Sequence, residues 1–151
     1  MVRGELTIIT NMCMVHDEGM ILVQDRLDPN WPGITFPCGH VETKESFVDS
    51  IIREVFEETG LTISNLKLCG IKQWTQKEGK YRYVVLFYKT NSFIGELKSS
   101  VEGKVFWINR KDIDNYVLAK GFKSMLEVFE NDNLSENYYW YESNEWHCQN
   151  K

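Results

Sequence analysis

The sequence is short of several things, and each shortage narrows the reading. Positive charge is in deficit: 17 Lys and Arg stand against 22 Asp and Glu, a net charge of −5. That argues against a general binder of nucleic acid or of an anionic membrane surface. It leaves an anionic substrate open, because a bound metal ion inverts the local field. The four cysteines (Cys13, Cys38, Cys69, Cys148) form no CxxC pair, and two lie in apolar runs. They read as reduced thiols of a cytoplasmic protein. No apolar run is long enough to span a membrane. The first residues, MVRGELTIITNMCMV, alternate in polarity and read as a strand rather than a signal peptide. Proline is scarce, with three residues, and two of them (Pro29, Pro32) fall in the stretch 25–33, which reads as a loop. No internal repeat, linker or low-complexity segment stands out. What remains is a chain of 151 residues with 42% apolar content, long enough for one domain with a sizeable core.

The most informative stretch is Gly39 to Leu61, GHVETKESFVDSIIREVFEETGL. On a helix, Glu54, Glu57 and Glu58 sit at offsets of zero, three and four and share one face. Val48, Ile51, Ile52 and Val55 form an adjoining apolar stripe. The spacing predicts a helix that starts between Thr43 and Ser46, with Ser46 and Asp49 resembling a capping box and Thr43 as the alternative cap, and that ends on a left-handed cap at Gly60. The acid face has no basic residue at its centre in this reading. Like charges one turn apart repel by a few tenths of a kcal/mol per pair. Such a face asks for a counter-charge, and oxygen-only ligands suit a hard cation such as Mg²⁺.

Around this helix the pattern is mostly strands. Residues 5–15 and 20–24 read as a hairpin through the turn at 17–19. Residues 34–37 form a short extended segment. A long antiparallel hairpin is expected from 65–74 and 81–90. A polar connection spans 91–103, a short strand 104–109, and a helical turn 112–117. Residues 121–130 carry Phe122, Met125, Leu126 and Phe129 at helical spacing. Strands outnumber helices, so two helices must cover both faces of a twisted sheet, an α+β arrangement from pattern alone.

The stretch resembles the Nudix box: Gly, five residues, Glu, seven residues, Arg-Glu, an aliphatic residue, one residue, Glu-Glu, one residue, Gly and an aliphatic residue. Gly39, Glu45, Arg53, Glu54, Val55, Glu57, Glu58, Gly60 and Leu61 occupy those places. The resemblance covers about a sixth of the chain, but its fixed spacings make it specific. It departs from the common pattern at Cys38, where Phe36-Pro37-Cys38-Gly39 replaces Phe-Pro-Gly-Gly, at His40, and at Lys44, where glycine is common. The resemblance implies an α/β fold, a Nudix-type α/β/α sandwich with a central mixed sheet, in a single hydrolase domain over 1–151.

It also implies site residues. Glu54, Glu57 and Glu58 would hold Mg²⁺, or Mn²⁺ in its place, with the Gly39 carbonyl as a further ligand. Arg53 would pair with Glu45 and hold the loop on the helix. Glu102, in the Glu-Gly pair before Phe106-Trp107, would be the general base or water-orienting group, with Glu57 as the next candidate. Arg26 would meet substrate phosphates; by residue type, His40 would neutralise phosphate charge when protonated, and Trp31 and Phe36 would stack on a base, with a loop anchor as the alternative for Trp31. Cys38 is read as a small turn residue, with a redox-sensitive thiol as the alternative. The short chain and Glu102-Gly103 look most like the MutT branch, which cleaves a nucleoside triphosphate to monophosphate and pyrophosphate. An oxidised purine such as 8-oxo-dGTP is the leading substrate. The alternatives are hydrolysis of another nucleoside diphosphate-linked compound, a non-catalytic nucleotide sensor, and a relative of isoprenoid-diphosphate isomerases. The expected partner is a small-molecule nucleotide, without a stable nucleic-acid complex and without a membrane. The aromatic run 138–141 is read as an edge strand packing on the sheet or a homodimer surface, in preference to a nucleobase site.

Overall fold

A computed structural model describes residues 3–151. The first strand, β1 (Thr7–Asp17), turns at Gly19 into β2 (Met20–Arg26). Two short strands follow, β3 (Gly33–Thr35) and β4 (Cys38–His40). Helix α1 (Phe47–Thr59) is followed by β5 (Leu61–Ser64), β6 (Lys67–Thr75), β7 (Arg82–Thr90), β8 (Ser92–Gly95) and β9 (Gly103–Asn109). A 3₁₀ segment (Arg110–Asn115), helix α2 (Phe122–Glu130) and a hairpin of β10 (Glu136–Glu142) and β11 (Glu145–Asn150) complete the chain.

The main sheet runs β11-β10-β6-β7-β1-β2-β3, with β4 added to β1 and β9 to β2. β1 pairs with β7 in parallel, and β6 with β10 in parallel, while the other pairings are antiparallel. The sheet is therefore mixed. Strand alternation sends Met12 and Met14 to one face and Cys13 and Val15 to the other. On the first face they pack with Phe122, Met125 and Phe129 of α2; on the second, with Ile51 and Val55 of α1. The result is the helix–sheet–helix layering expected from the box.

Four features differ from the sequence expectation. The run 138–141, read as an edge strand, lies in β10, which has β11 on one side and β6 on the other. Val48 is exposed, not part of the apolar stripe. The α1 stripe is narrow because only Ile51 and Val55 reach the sheet fully, with Ile52 half-buried beside them. The connection 91–103 contains β8, which pairs with β5 in a separate two-stranded sheet. Its exposed Ile94 and polar flanks conceal the pairing from a pattern search. Phe36 is fully buried between Phe122 and Phe129, with ring centroids 4.9 and 5.1 Å away in edge-to-face contacts. It is a core residue and no base can stack on it. Residue type alone suggests a stacking aromatic, but the link between β3 and β4 turns the ring inward under α2.

That correction is testable. Phe36→Leu is expected to lower unfolding stability by roughly 1–2 kcal/mol through lost edge-to-face contacts and altered shape. Denaturant titration measures the loss. A variant as stable as the parent would contradict the packing.

Candidate active site

Helix α1 begins and ends as its sequence suggests. Ser46 caps it by accepting from the Asp49 amide at 3.0 Å. Gly60 closes it at φ 78°, in the left-handed region, with its N–H bonded to the Phe56 carbonyl. The helix thus presents Arg53, Glu54 and Glu58 toward the loop that carries Gly39.

Arg53 sits at the centre of the acid face, where spacing alone places no cation. Its Nε donates to Glu45 at 2.7 Å and Nη2 donates to the other Glu45 oxygen at 2.9 Å, a two-pronged pairing. Nη1 reaches Glu54 at 2.9 Å and Glu57 at 3.2 Å, and Nη2 also donates to the His40 carbonyl at 3.1 Å. Hydrogen bonding to Arg53 holds the Glu45 carboxyl down at about 2. The arginine staples the loop to the helix and partly neutralises the face. Helical spacing shows which residues share a face but not that an i−1 or i−4 guanidinium folds back between them.

The carboxylates then separate by environment. Glu57 is exposed and turned to Arg53. Glu54 lies against Gly39: a Cβ on that residue would overlap the Glu54 carboxylate, so the strand approaches the helix where only glycine fits. Glu58 is buried, at 5% exposure, and its Oε2 accepts from the Cys38 amide at 3.1 Å. Burial raises the Glu58 carboxyl to about 8; the Cys38 amide opposes the rise, and Glu54 and Glu102 add to it. Among the described residues Glu58 has no ion-pair partner within 4 Å.

A cleft of about 770 Å³ opens beside these groups, within the ~300–1,000 Å³ of ligand sites. Glu54, Glu58, Gly39 and His40 line it from the box, and Glu102 from the turn ahead of β9. Glu102 is placed by its own backbone: its carbonyl accepts from the Leu27 amide, and its amide donates to Ser100. Gly103, next in the chain, lets β9 run hard against the Asp25 carbonyl. The structure thus brings Glu54, Glu58 and Glu102 to one cleft and leaves Glu57 off its lining.

Arg26 and Trp31 line the same cleft. Arg26 donates to the Trp31 carbonyl (3.2 Å), the Cys38 Sγ (3.4 Å) and Asp28 (3.3 Å), and its guanidinium lies 5.2 Å from the Trp31 ring centroid. Three of its five donors are used, which leaves two for an anion. Trp31 is anchored by its indole N–H to the Lys120 carbonyl at 2.9 Å, with a ring face left on the cleft. His40 is exposed at the mouth. Burial, with Glu58 nearby, pushes the Cys38 thiol up to about 12, so it is a protonated hydrogen-bond partner and not a reactive thiolate.

A hard divalent cation fits this donor set. Glu58 is a buried acid with no ion-pair partner within 4 Å among the described residues, Glu54 and Glu102 add negative charge near it, and Gly39 gives a backbone close approach to Glu54. No three acidic, His or Cys side chains converge on one point among the described residues, because Glu57 turns away to Arg53. The groups able to serve are Glu54, Glu58 and the Gly39 carbonyl, with Glu102 on the same cleft. Sequence reasoning does not find Asn11, Lys72, Trp74 and Tyr83, which also line it. They come from the alternating strands β1, β6 and β7, and only sheet order places them beside α1.

The NUDIX domain family model matches residues 7–131. The uncharacterized Nudix hydrolase YvcI of Bacillus subtilis is 32% identical over 123 residues, 79% of this chain and 76% of that protein. The phosphatase NudJ of Escherichia coli is 33% identical over 66 residues, 44% of this chain and 43% of that protein. Among solved structures, the mutator MutT protein of Bacillus halodurans superposes with a TM-score of 0.77 at 26% identity, covering 94% of this chain and 97% of its own. The NUDIX domain of Shewanella oneidensis NrtR, solved with ADP ribose, has a TM-score of 0.65 at 15% identity over 85% of this chain and 88% of its own, a likeness of fold.

Proposed function

The chain belongs to the Nudix hydrolase family, enzymes that act on phosphoanhydride bonds, and from that premise we propose that it hydrolyses a nucleoside triphosphate to the monophosphate and pyrophosphate. An oxidised purine nucleotide such as 8-oxo-dGTP is the leading substrate. The observation that carries the reading is the meeting of Glu54, Glu58 and Glu102 with Arg26 in one cleft of nucleotide size.

In this reading Glu54, Glu58 and the Gly39 carbonyl hold Mg²⁺, with Mn²⁺ as a substitute. A bound divalent cation supplies neutralisation of phosphate charge and a lowered pKa for attacking water. The chain's own groups do the rest. Arg26 uses its two free donors on the phosphate oxygens and orients the anhydride. Glu102 accepts the proton of the attacking water, or orients it, from an exposed turn that can approach after the substrate is seated. Arg53 acts by position: it keeps Glu54 and the His40 backbone in place and touches no reacting atom.

The test is a panel of nucleoside triphosphates, ADP-ribose and dinucleoside polyphosphates assayed with Mg²⁺ for pyrophosphate and phosphate. The expected result is pyrophosphate from a purine nucleoside triphosphate, abolished by EDTA. A strong preference for ADP-ribose over every triphosphate would overturn the substrate class. Tight nucleotide binding without any turnover would favour a sensor.

A further inference from the structure

The cleft continues past the carboxylates into a second, smaller cavity of about 190 Å³. Trp31, Lys72 and Trp74 line both spaces; Lys120, Tyr139 and Trp146 complete the smaller one. At 190 Å³ it falls below the range of ligand sites, so it is an end-pocket of the cleft and not a site by itself. Tyr139 and Trp146 belong to the β10–β11 hairpin, which lies beyond the residues that the family model matches. The far end of the cleft is therefore walled by a part of this chain that the shared family pattern does not specify.

Its chemistry is specific. Trp74 and Tyr83 face each other across the β6–β7 pair with rings stacked at 4.7 Å and 10°. The Lys72 ammonium lies 4.3 Å from the Tyr139 ring centroid and 5.3 Å from that of Trp74. Gly121, at the start of α2, lets the helix approach this group: a Cβ there would stand 2.5 Å from the Tyr139 hydroxyl and 3.8 Å from Lys72 Nζ. Among the described residues Lys72 has no carboxylate within 4 Å, and its side chain makes no hydrogen bond. Burial lowers its ammonium to about 8. A half-buried cation flanked by two π faces, without a carboxylate or hydrogen-bond partner among the described residues, and that opens on a cleft, is a donor without an acceptor.

We propose that this aromatic cage, Trp74 and Tyr139 around Lys72 with Tyr83 stacked on Trp74 and Trp146 at the rim, reads a 6-oxopurine base, with Lys72 donating to the O6 atom. The inference rests on the nucleotide hydrolysis proposed above and adds the residues that would read the 6-position of the base. Flat indole and phenol faces suit a bicyclic base. An ammonium donates only, so it matches the O6 of guanine, hypoxanthine or 8-oxoguanine and opposes the 6-amino group of adenine, itself a donor. Mismatch of that kind discriminates strongly, because it leaves buried donors unpaired.

Inosine and adenosine nucleotides isolate the 6-position. The parent enzyme is expected to turn over ITP at least about tenfold better than ATP in kcat/KM, and to bind IMP more tightly than AMP by calorimetry in metal-free buffer. In Lys72→Met both preferences should collapse to within about threefold. Trp146→Ala, at an exposed rim where folding is not at stake, should raise the KM for ITP severalfold while the ITP:ATP ratio stays. Equal use of ITP and ATP by the parent, or a preference that survives in Lys72→Met, would overturn the role of Lys72. UTP used as well as ITP would overturn the purine assignment, and an unchanged KM in Trp146→Ala would remove the hairpin from the site. If no triphosphate is hydrolysed but IMP still outbinds AMP in a Lys72-dependent way, the proposed activity falls and the base site stands. If triphosphates are turned over without base preference, the activity stands and the base site falls.

Discussion

Glu58→Gln is expected to cut turnover by roughly 10²–10³-fold, and to raise the thermal midpoint in metal-free buffer at the same time. The first effect follows from its place in the cleft. A buried carboxylate that helps hold a cation contributes to transition-state charge stabilisation worth several kcal/mol, at about 1.4 kcal/mol per tenfold in rate. The second follows from burial. The Glu58 carboxyl is raised from an ordinary 4.5 to about 8, so the folded state favours the protonated acid. That contribution to stability is fully present below about pH 4.5 and is lost as pH rises through about 8. Glutamine mimics the neutral acid and retains an oxygen for the Cys38 amide. The stabilisation by Glu58→Gln should therefore be small near pH 4 and largest above pH 8, and Mg²⁺ should erase it by stabilising the parent. Differential scanning fluorimetry across pH, with and without Mg²⁺, reads all of this. Parental activity in the variant would remove Glu58 from the metal-holding role, and a midpoint that falls at pH 8 in metal-free buffer would contradict the cost of its buried charge.

Glu102→Gln is expected to lower turnover by about 10²-fold or more, the lower range for the loss of a general base. It should leave Mg²⁺ affinity in the free protein near the parental value, because Glu54, Glu58 and the Gly39 carbonyl remain. Glu102 is exposed, so its substitution should also leave stability within about ±0.5 kcal/mol, as is usual for surface positions. The pair of variants separates two jobs: calorimetric titration with Mg²⁺ should find affinity weakened in Glu58→Gln and retained in Glu102→Gln. A Glu102→Gln enzyme that works like the parent would send the search for the base elsewhere. Glu57 is the next choice on sequence grounds. Its exposed position on Arg53, off the cleft lining, makes it the weaker candidate.

Features with a local cause are legible in the chain itself. The α1 limits, its Ser46 cap and its Gly60 terminus depend on backbone geometry within one or two turns. The β6–β7 hairpin and α2 follow from periodicity. The two-stranded β5–β8 sheet is not legible in this way. Its strands are four residues each and about thirty apart, and their pairing depends on where β7 delivers the chain.

Family, layered fold and the helix that carries the carboxylates can all be read from the chain alone, because nine residues at set spacings leave few arrangements open. How those carboxylates differ cannot. Glu57 and Glu58 are neighbours in sequence with the same side chain, yet Glu57 pairs with Arg53 in solvent while Glu58 is sealed behind the Cys38 amide. The aromatics divide in the same manner: Phe36 goes to the core, while Trp74, from β6, comes to the cleft. Periodicity states which residues share a face of one element. Burial, dielectric and the company a charge keeps depend on which elements meet, and that is set only when the whole sheet has closed around the helix.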